Sequence, residues 1–288
     1  MSENNISPFT NAPLKKLLEV KDYLVSSEIF GLYHDPEWDM LITQPQPKNI
    51  AKYYESENYQ PHKNSQESRF DRLYDYIRHH LYRYKYRLIQ KFHPQAHSVL
   101  DYGTATGEFL RFMQEKTFSV SGVEPNKDAR EIANDKLENS VRVSIDELND
   151  NYDVITLWHV LEHIAEPEEL IQKLKEKLNP GGIMLIAVPN FKSYDAAYYA
   201  QYWASYDVPR HLWHFSTLSI KKLFEKHQLQ VVAQKPLYFD SFYISLLSEQ
   251  YKNGKKRWIP AIYRGLLSNL KAWKTGEYSS LIYVITAQ

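Results

Sequence analysis

From Ser98 to Val188, short β-branched apolar runs alternate with helical patterns of about ten residues, and this alternation limits the fold more than any other feature of the sequence. Ser98–Asp101 reads as a strand, a glycine-bearing turn follows it, and Glu108–Gln114 starts a helix. Phe118–Val123, Val141–Val143, Tyr152–Leu157 and Ile183–Val188 supply further strands, with helices predicted from Lys127 to Leu137 and from Pro167 through Leu178. Proline suits the first helical turn, where its missing amide would have no partner, and Asn179-Pro-Gly-Gly stops the helix. Thr217–His227 reads as a helix, Leu229–Gln234 and Leu281–Thr286 as strands. Strands alternating with helices predict an α/β chain built on a mostly parallel, doubly wound sheet covered on both faces.

Composition narrows the functions open to such a fold. Apolar residues make up 43% and charged residues 24%, ordinary globular usage, and 35 basic side chains balance 35 acidic ones. No overall field draws the chain to DNA or to anionic lipid, so any nucleic-acid surface must be local. Cysteine is absent, which excludes disulfides, thiolate nucleophiles and cysteine-ligated metals; no metal is expected. No apolar run approaches the ~18 residues of a spanning helix, and the opening MSENNISPFTNAP lacks a signal-peptide layout, which predicts a cytoplasmic protein.

The one composition shift lies near Pro94. It divides an N-terminal helical or irregular accessory region, residues 1–93, from a ligand-binding domain, residues 94–288, with insertions at about 190–216 and 240–278. In the accessory region Phe70, Leu73, Ile77, Leu81, Tyr84, Leu88 and Phe92 recur at spacings of three and four, predicting a helix from Ser68 to Phe92. Its other face carries Arg69, Arg72, Arg78, Arg83, Arg87 and Lys91, read as a solvated face rather than an RNA surface. Lys252–Lys274 sets Trp258, Ile259, Ile262, Tyr263, Leu266, Leu267, Leu270 and Trp273 among seven basic residues. It reads as an amphipathic helix whose apolar side packs under the sheet or forms a homodimer contact, with membrane contact as the alternative.

Ligands of such sheets sit at the carboxyl ends of the strands. The first loop, Asp101-Tyr-Gly-Thr-Ala-Thr-Gly107, has neither the G-x-G-x-x-G spacing nor a P-loop lysine. Asp101 stands where a pyrophosphate would lie, and a carboxylate there repels phosphate and attracts a cation. S-adenosylmethionine offers an ammonium and a sulfonium beside an adenosine. Glu124, at the end of the second strand, is placed to accept hydrogen bonds from the ribose hydroxyls.

Through VLDYGTATGEFL, VSGVEPN, YDVITLWHVLEHIAEP and LNPGGIMLIAVPN, in that order, the stretch from about Ser98 to Asn190 resembles the class I S-adenosylmethionine-dependent methyltransferases. The resemblance implies a Rossmann-like seven-stranded sheet whose last strand, Leu281–Thr286, is antiparallel. It further implies that Asp101, Gly103, Thr104 and Gly107 surround the methionine half, and that Glu124 and the adjoining Pro125 meet the ribose. Adenine would lie near Ser144–Asp146, with Ile145 at its centre, and Trp158 and His159 would line the pocket. Many relatives carry glycine where this chain has Ala105. Within the class the chain resembles sugar C-methyltransferases that carry an N-terminal zinc ribbon: Asp35 and Trp38 would replace two cysteine ligands, and Tyr53–Tyr59 resembles the segment that closes over the cofactor.

Methyl transfer is an in-line displacement, so the protein must chiefly align groups and exclude water. In Asp207-Val-Pro-Arg-His-Leu-Trp-His214, His211 is the expected base for a small-molecule acceptor, with His214 as the second candidate, and Arg210 is expected to pair with an anionic group of that acceptor. His159-Val-Leu-Glu-His163 also matches the H-x-x-E-H pattern of zinc proteases, but it directly follows a β-branched strand where such a site needs continuous helix. The same residues would also suit a non-catalytic binder of the nucleoside, or an RNA methyltransferase using the basic helix. The acceptor is expected to be small and polar or sugar-like.

Overall fold

The computed structural model describes residues 6–54 and 69–288, with side chains of the long helix from residue 77 onward. The chain opens with an antiparallel meander, β1 (Lys15–Lys21), β2 (Ile29–Asp35) and β3 (Met40–Gln44). Sequence patterning does not predict these strands, because β1 buries only Val20 and its partner β2 exposes Ile29, leaving no clean alternation to read. The turn between β2 and β3 is tied by Asp35, whose fully buried Oδ1 accepts from the amides of Glu37 at 2.9 Å and Trp38 at 3.0 Å. A carboxylate thus organises the hairpin end around Asp35 and Trp38, using the affinity of short acidic side chains for backbone amides two and three residues on.

The long helix α1 (Arg69–Phe92) leads into β4 (Ser98–Tyr102), α2 (Glu108–Gln114), β5 (Ser119–Val123), α3 (Lys127–Lys136), β6 (Val141–Arg142), β7 (Tyr152–Trp158), α4 (Pro167–Glu176) and β8 (Leu178–Pro189). There follow α5 (Tyr194–Tyr199), β9 (Trp213–His214), α6 (Thr217–Glu225), β10 (Leu229–Pro236), α7 (Asp240–Asn253), α8 (Trp258–Thr275) and β11 (Ser280–Ala287). The main sheet has the order β10-β11-β8-β7-β4-β5-β6, with β11 antiparallel to both neighbours and β4 through β8 parallel. The doubly wound α/β sheet predicted from the alternation is present, and it has the Rossmann-like seven-stranded form with a reversed last strand that the resemblance implied. The Asn179–Gly182 segment belongs to β8 rather than to a free turn, and a register shift opposite Tyr152–Val154 absorbs it.

Central strands β7 and β8 are buried on both faces, as parallel strands must be. Ile155, Leu157, Met184 and Ile186 pack beneath α4 and α6. Val154, Leu185 and Ala187 pack on the other side with Leu88 and Ile89 of α1 and with Phe109 and Met113 of α2. The long helix therefore lies against the main sheet. The meander is likewise joined to the later chain, because β3 pairs with β9.

Helix α8 departs from expectation. Its inward side is made of Ala261, Gly265, Ser268 and Ala272, at spacings of four, three and four, while its large apolar residues face outward. A Cβ on Gly265 would come within 2.7 Å of the Phe242 ring, so only a residue without a side chain lets α7 and α8 approach this closely. Ser268 Oγ donates to buried Asp195 at 2.6 Å, and Trp203 Nε1 and Ser279 Oγ do the same at 2.8 and 2.6 Å, which locks the helix onto α5. The apolar face thus does not pack under the sheet.

Candidate functional site

The carboxyl ends of β4, β5 and β7 lie side by side at one edge of the sheet, the place of the ligand crevice in open α/β folds. The β4 loop turns on Gly103 and Gly107, at φ +78° and +79°, and a Cβ on Gly103 would lie 2.5 Å from Val160. Ala105 also takes a left-handed φ of 49°, and its amide donates to Glu124 Oε2 at 2.8 Å. Glu124 Oε1 accepts from the Asn126 amide at 2.9 Å, so each oxygen of this half-buried carboxylate holds a backbone group and retains a lone pair. Pro125 beside it is exposed. Ile145 is buried in a single 3-10 turn after β6, capped by Ser144, whose Oγ accepts from the Asp146 amide at 3.2 Å.

Asp101, 2% exposed, accepts from Thr156 Oγ1 at 2.6 Å. Burial raises its pKa to about 6, despite the opposing hydrogen bond from Thr156 and the charge of Lys85. Thr104 beside it is buried as well. Sequence reasoning missed Lys85: it reaches in from α1, with Nζ 3.8 Å above the Trp158 ring. Burial lowers its pKa to about 8, against the pull of Asp101 and Asp240. Lys85 lies four residues after Leu81 and three before Leu88, at the margin of the apolar face, where periodicity counts only apolar residues. Trp158, at the end of β7, has its Nε1 buried without a hydrogen-bond partner. A buried carboxylate, a cation on an aromatic face and an unsatisfied donor together form a polar cradle of the kind a zwitterionic amino-acid group requires.

From this cradle residues 158–163 run directly to the histidine loop. His159, at φ 57°, places Nε2 3.0 Å from Asp240 Oδ2 and Nδ1 3.5 Å from Glu162 Oε1. Burial alone would lower its pKa, but the two carboxylates raise it to about 10, so it is a fixed cation. Glu162 is 1% exposed and neither of its oxygens has a hydrogen-bond partner among the described residues. Its burial opposes ionisation, and the cationic His159 beside it holds its pKa below the ordinary range.

His211 Nε2 faces Glu162 Oε1 at 4.0 Å, while Nδ1 lies 2.9 Å from the Ser205 carbonyl. The carbonyl fixes the proton on Nδ1 and leaves Nε2 as a free base. Burial, reinforced by nearby His163, keeps its pKa well below that of an ordinary histidine, so the ring is neutral. His163 packs edge-on against it at 4.5 Å, its Nδ1 within 3.1 Å of both Tyr54 Oη and the Arg210 carbonyl. Residues 55–59 of the expected closing segment lie outside the described residues. Glu162, His163 and His211 bring one ligand atom each to within 4.8 Å of one another. His159 is not part of that group, and residues 161–163 form a 3-10 turn rather than a helix, so the protease arrangement is not built.

Two expectations in the histidine loop are corrected. Arg210 offers nothing to an acceptor: it is 1% exposed and bonds Asp22 at 2.9 Å, Asp207 at 2.7 Å and the Tyr53 carbonyl at 3.0 Å, stitching the loop to the meander. His214 is no base, because it is buried against Thr43 Oγ1 at 3.0 Å and burial lowers its pKa to about 3. Arg210→Ala would leave Asp22, itself fully buried, without its cation. A loss of about 3–5 kcal/mol in urea unfolding is expected, and a change below about 1 kcal/mol would show the pair to be ornamental.

A family model described as a methyltransferase domain matches residues 74–234. The ubiquinone biosynthesis O-methyltransferase of Pectobacterium atrosepticum is 24% identical over 172 residues, 54% of this chain and 69% of that protein. The protein of the same name from Vibrio atlanticus is 27% identical over 108 residues, 33% of this chain and only 46% of its own length. The chain thus spans less than half of the Vibrio relative. Among solved structures, magnesium protoporphyrin IX methyltransferase (ChlM) from Synechocystis PCC 6803, with bound SAH, has a TM-score of 0.51 at 11% identity, covering 78% of this chain and 90% of that one. StiE O-MT gives 0.50 at 15% identity, covering 77% and 78%. Both share the fold described here. With the family model matching more than half of its length over the strands and loops that build this crevice, the chain belongs to the methyltransferase-domain family.

Proposed function

We propose that the protein transfers a methyl group from S-adenosylmethionine to a hydroxyl of a small polar or sugar-like acceptor. One observation carries the reading: a single loop, residues 158–163, runs from the Asp101 cradle to a buried neutral histidine whose free nitrogen faces an unsatisfied carboxylate. The O-methyltransferase names of the two curated relatives support oxygen as the atom methylated. The acceptor class rests on the resemblance to sugar C-methyltransferases alone.

Asp101 would take the methionine ammonium, Lys85 its carboxylate, Glu124 the ribose hydroxyls beside Gly103, Thr104, Gly107 and Pro125, and Ile145 would pack on the adenine. Trp158 and His159 would close the pocket on the acceptor side. S-adenosylmethionine supplies an electrophilic methyl on a positively charged sulfur. His211 Nε2 would receive the acceptor's hydroxyl proton, with the Ser205 carbonyl holding the tautomer on Nδ1 and the nearby Glu162 charge stabilising the imidazolium so formed. Burial of the pair excludes water, which would otherwise compete for the proton.

The same donors give a second reading, in which Glu162, His163 and His211 grip a divalent ion that activates the hydroxyl. Chelation decides between them. The expected result is methyl transfer unaffected by prolonged EDTA treatment; loss restored by added Zn²⁺ or Mg²⁺ would assign the cluster to a metal. The primary test is calorimetric titration with S-adenosylmethionine and S-adenosylhomocysteine, followed by labelled-methyl transfer to phenols and sugars. Micromolar binding with turnover on a hydroxyl acceptor is expected, and the absence of heat from folded protein would overturn the reading.

A further inference from the structure

On α8 hydrophobicity points away from the protein. Ile259 is 83% exposed, Trp273 82%, and Ile262, Leu266 and Leu270 between 49% and 54%, all on the side opposite the small residues that contact α7 and α5. A solvent-facing stripe of this size along an 18-residue helix is far from the scattered single apolar residues of ordinary surfaces. Leu266, Leu270 and Trp273 also wall a cleft of about 190 Å³ with Tyr238 and Tyr278.

Charge identifies what covers the stripe. Residues 252–276 contain seven basic side chains and no acidic one, in a chain whose overall charge is zero. Arg264 and Lys271 lean back onto Tyr198 and Tyr194, at 3.9 and 3.8 Å. Lys255, Lys256 and Lys274 remain exposed at the two ends of the helix. A second copy of the chain would bring like charges together, since a two-fold contact sets a patch against itself. An anionic bilayer meets every requirement: it solvates the apolar side chains, neutralises the lysines and accommodates tryptophan at the headgroup level. No described helix is long and apolar enough to cross a membrane, and α8 has no need to.

We propose that α8 docks the protein on an anionic membrane surface, lying in the interface plane with Ile259, Ile262, Leu266, Leu270 and Trp273 turned into the lipid. The site stands apart from the methyl-transfer reading and is independent of it. It does set an orientation: Tyr238, whose carbonyl accepts from Asn269 of α8 at 3.0 Å, lies two residues before Asp240, the partner of His159. Docking would therefore hold one wall of the crevice close to the lipid.

The test is co-sedimentation of the full chain with vesicles of phosphatidylglycerol and phosphatidylcholine, against vesicles of phosphatidylcholine alone, at low and high salt. The anionic vesicles are expected to pellet the protein, with binding weakened by salt. Ile259→Ser combined with Trp273→Ser should lower partitioning by about tenfold or more, since both side chains lose their contribution to apolar burial. Lys255→Glu combined with Lys256→Glu and Lys274→Glu should abolish the preference for anionic lipid. All these positions are exposed, so unchanged thermal unfolding will confirm folded variants. No sedimentation with either vesicle, or a concentration-dependent dimer that the Ile259 and Trp273 substitutions dissolve, would overturn the proposal.

Discussion

Asp101→Asn is expected to stabilise the ligand-free protein while abolishing S-adenosylmethionine binding. In the folded chain the carboxyl has a pKa of about 6, against 3.8 unfolded. The folded state thus holds its proton more tightly, and stability falls as pH rises from about 4 to about 6. Above that window the ionised group costs about 3 kcal/mol. Asparagine keeps an acceptor for Thr156 and removes the charge, so a gain of up to that size, several degrees in melting temperature, is expected at pH 7 and should vanish near pH 4. The wild-type protein should bind S-adenosylmethionine about tenfold more weakly at pH 5 than at pH 7, following the ionised fraction of Asp101. Calorimetry at the two pH values checks this. An affinity flat across that range, or an asparagine variant less stable than wild type at pH 7, would remove Asp101 from the role of ammonium partner.

The second large effect falls on His211. His211→Gln retains a side chain able to donate to the Ser205 carbonyl but removes the basic nitrogen, and a loss of about 10²–10⁴ in kcat is expected. Donor affinity should be unchanged, because His211 does not reach the cradle. Glu162→Gln should lose part of the same factor, since a neutral amide cannot stabilise the imidazolium. The pH profile distinguishes this role from a structural one: with its pKa held well below 6.5, His211 stays unprotonated where an ordinary histidine titrates. At saturating donor, kcat should therefore stay level through pH 6.5. A break there, or full activity in His211→Gln with any acceptor, would end its candidacy.

Much of this architecture was legible because local signals agreed with the global fold. The parallel strands read as apolar runs, Pro167 marked a helix start, and the loop from Asp101 to Gly107 announced a strand-end site. The meander was not legible. Strand β1 buries only Val20, and β3 is held by β9, more than 160 residues away, a pairing that no local pattern encodes. For the same reason α8 was read as a helix while its apolar stripe was left to the sheet, a dimer contact or a membrane, because periodicity gives the stripe but not the direction it faces.

The site divides along the same line. The sequence by itself determined the sheet, the glycine loop, and the acids at the ends of β4 and β5, since strand, turn and charge are fixed by neighbours in the chain. Tertiary structure decided which charged groups are free to act. It spent Arg210 on Asp22 and Asp207, buried His214 against Thr43, brought Lys85 onto Trp158, and left Glu162 unsatisfied beside His211. Those outcomes depend on desolvation and on partners from distant segments, which set the protonation and the availability of a side chain only once the chain has closed around it.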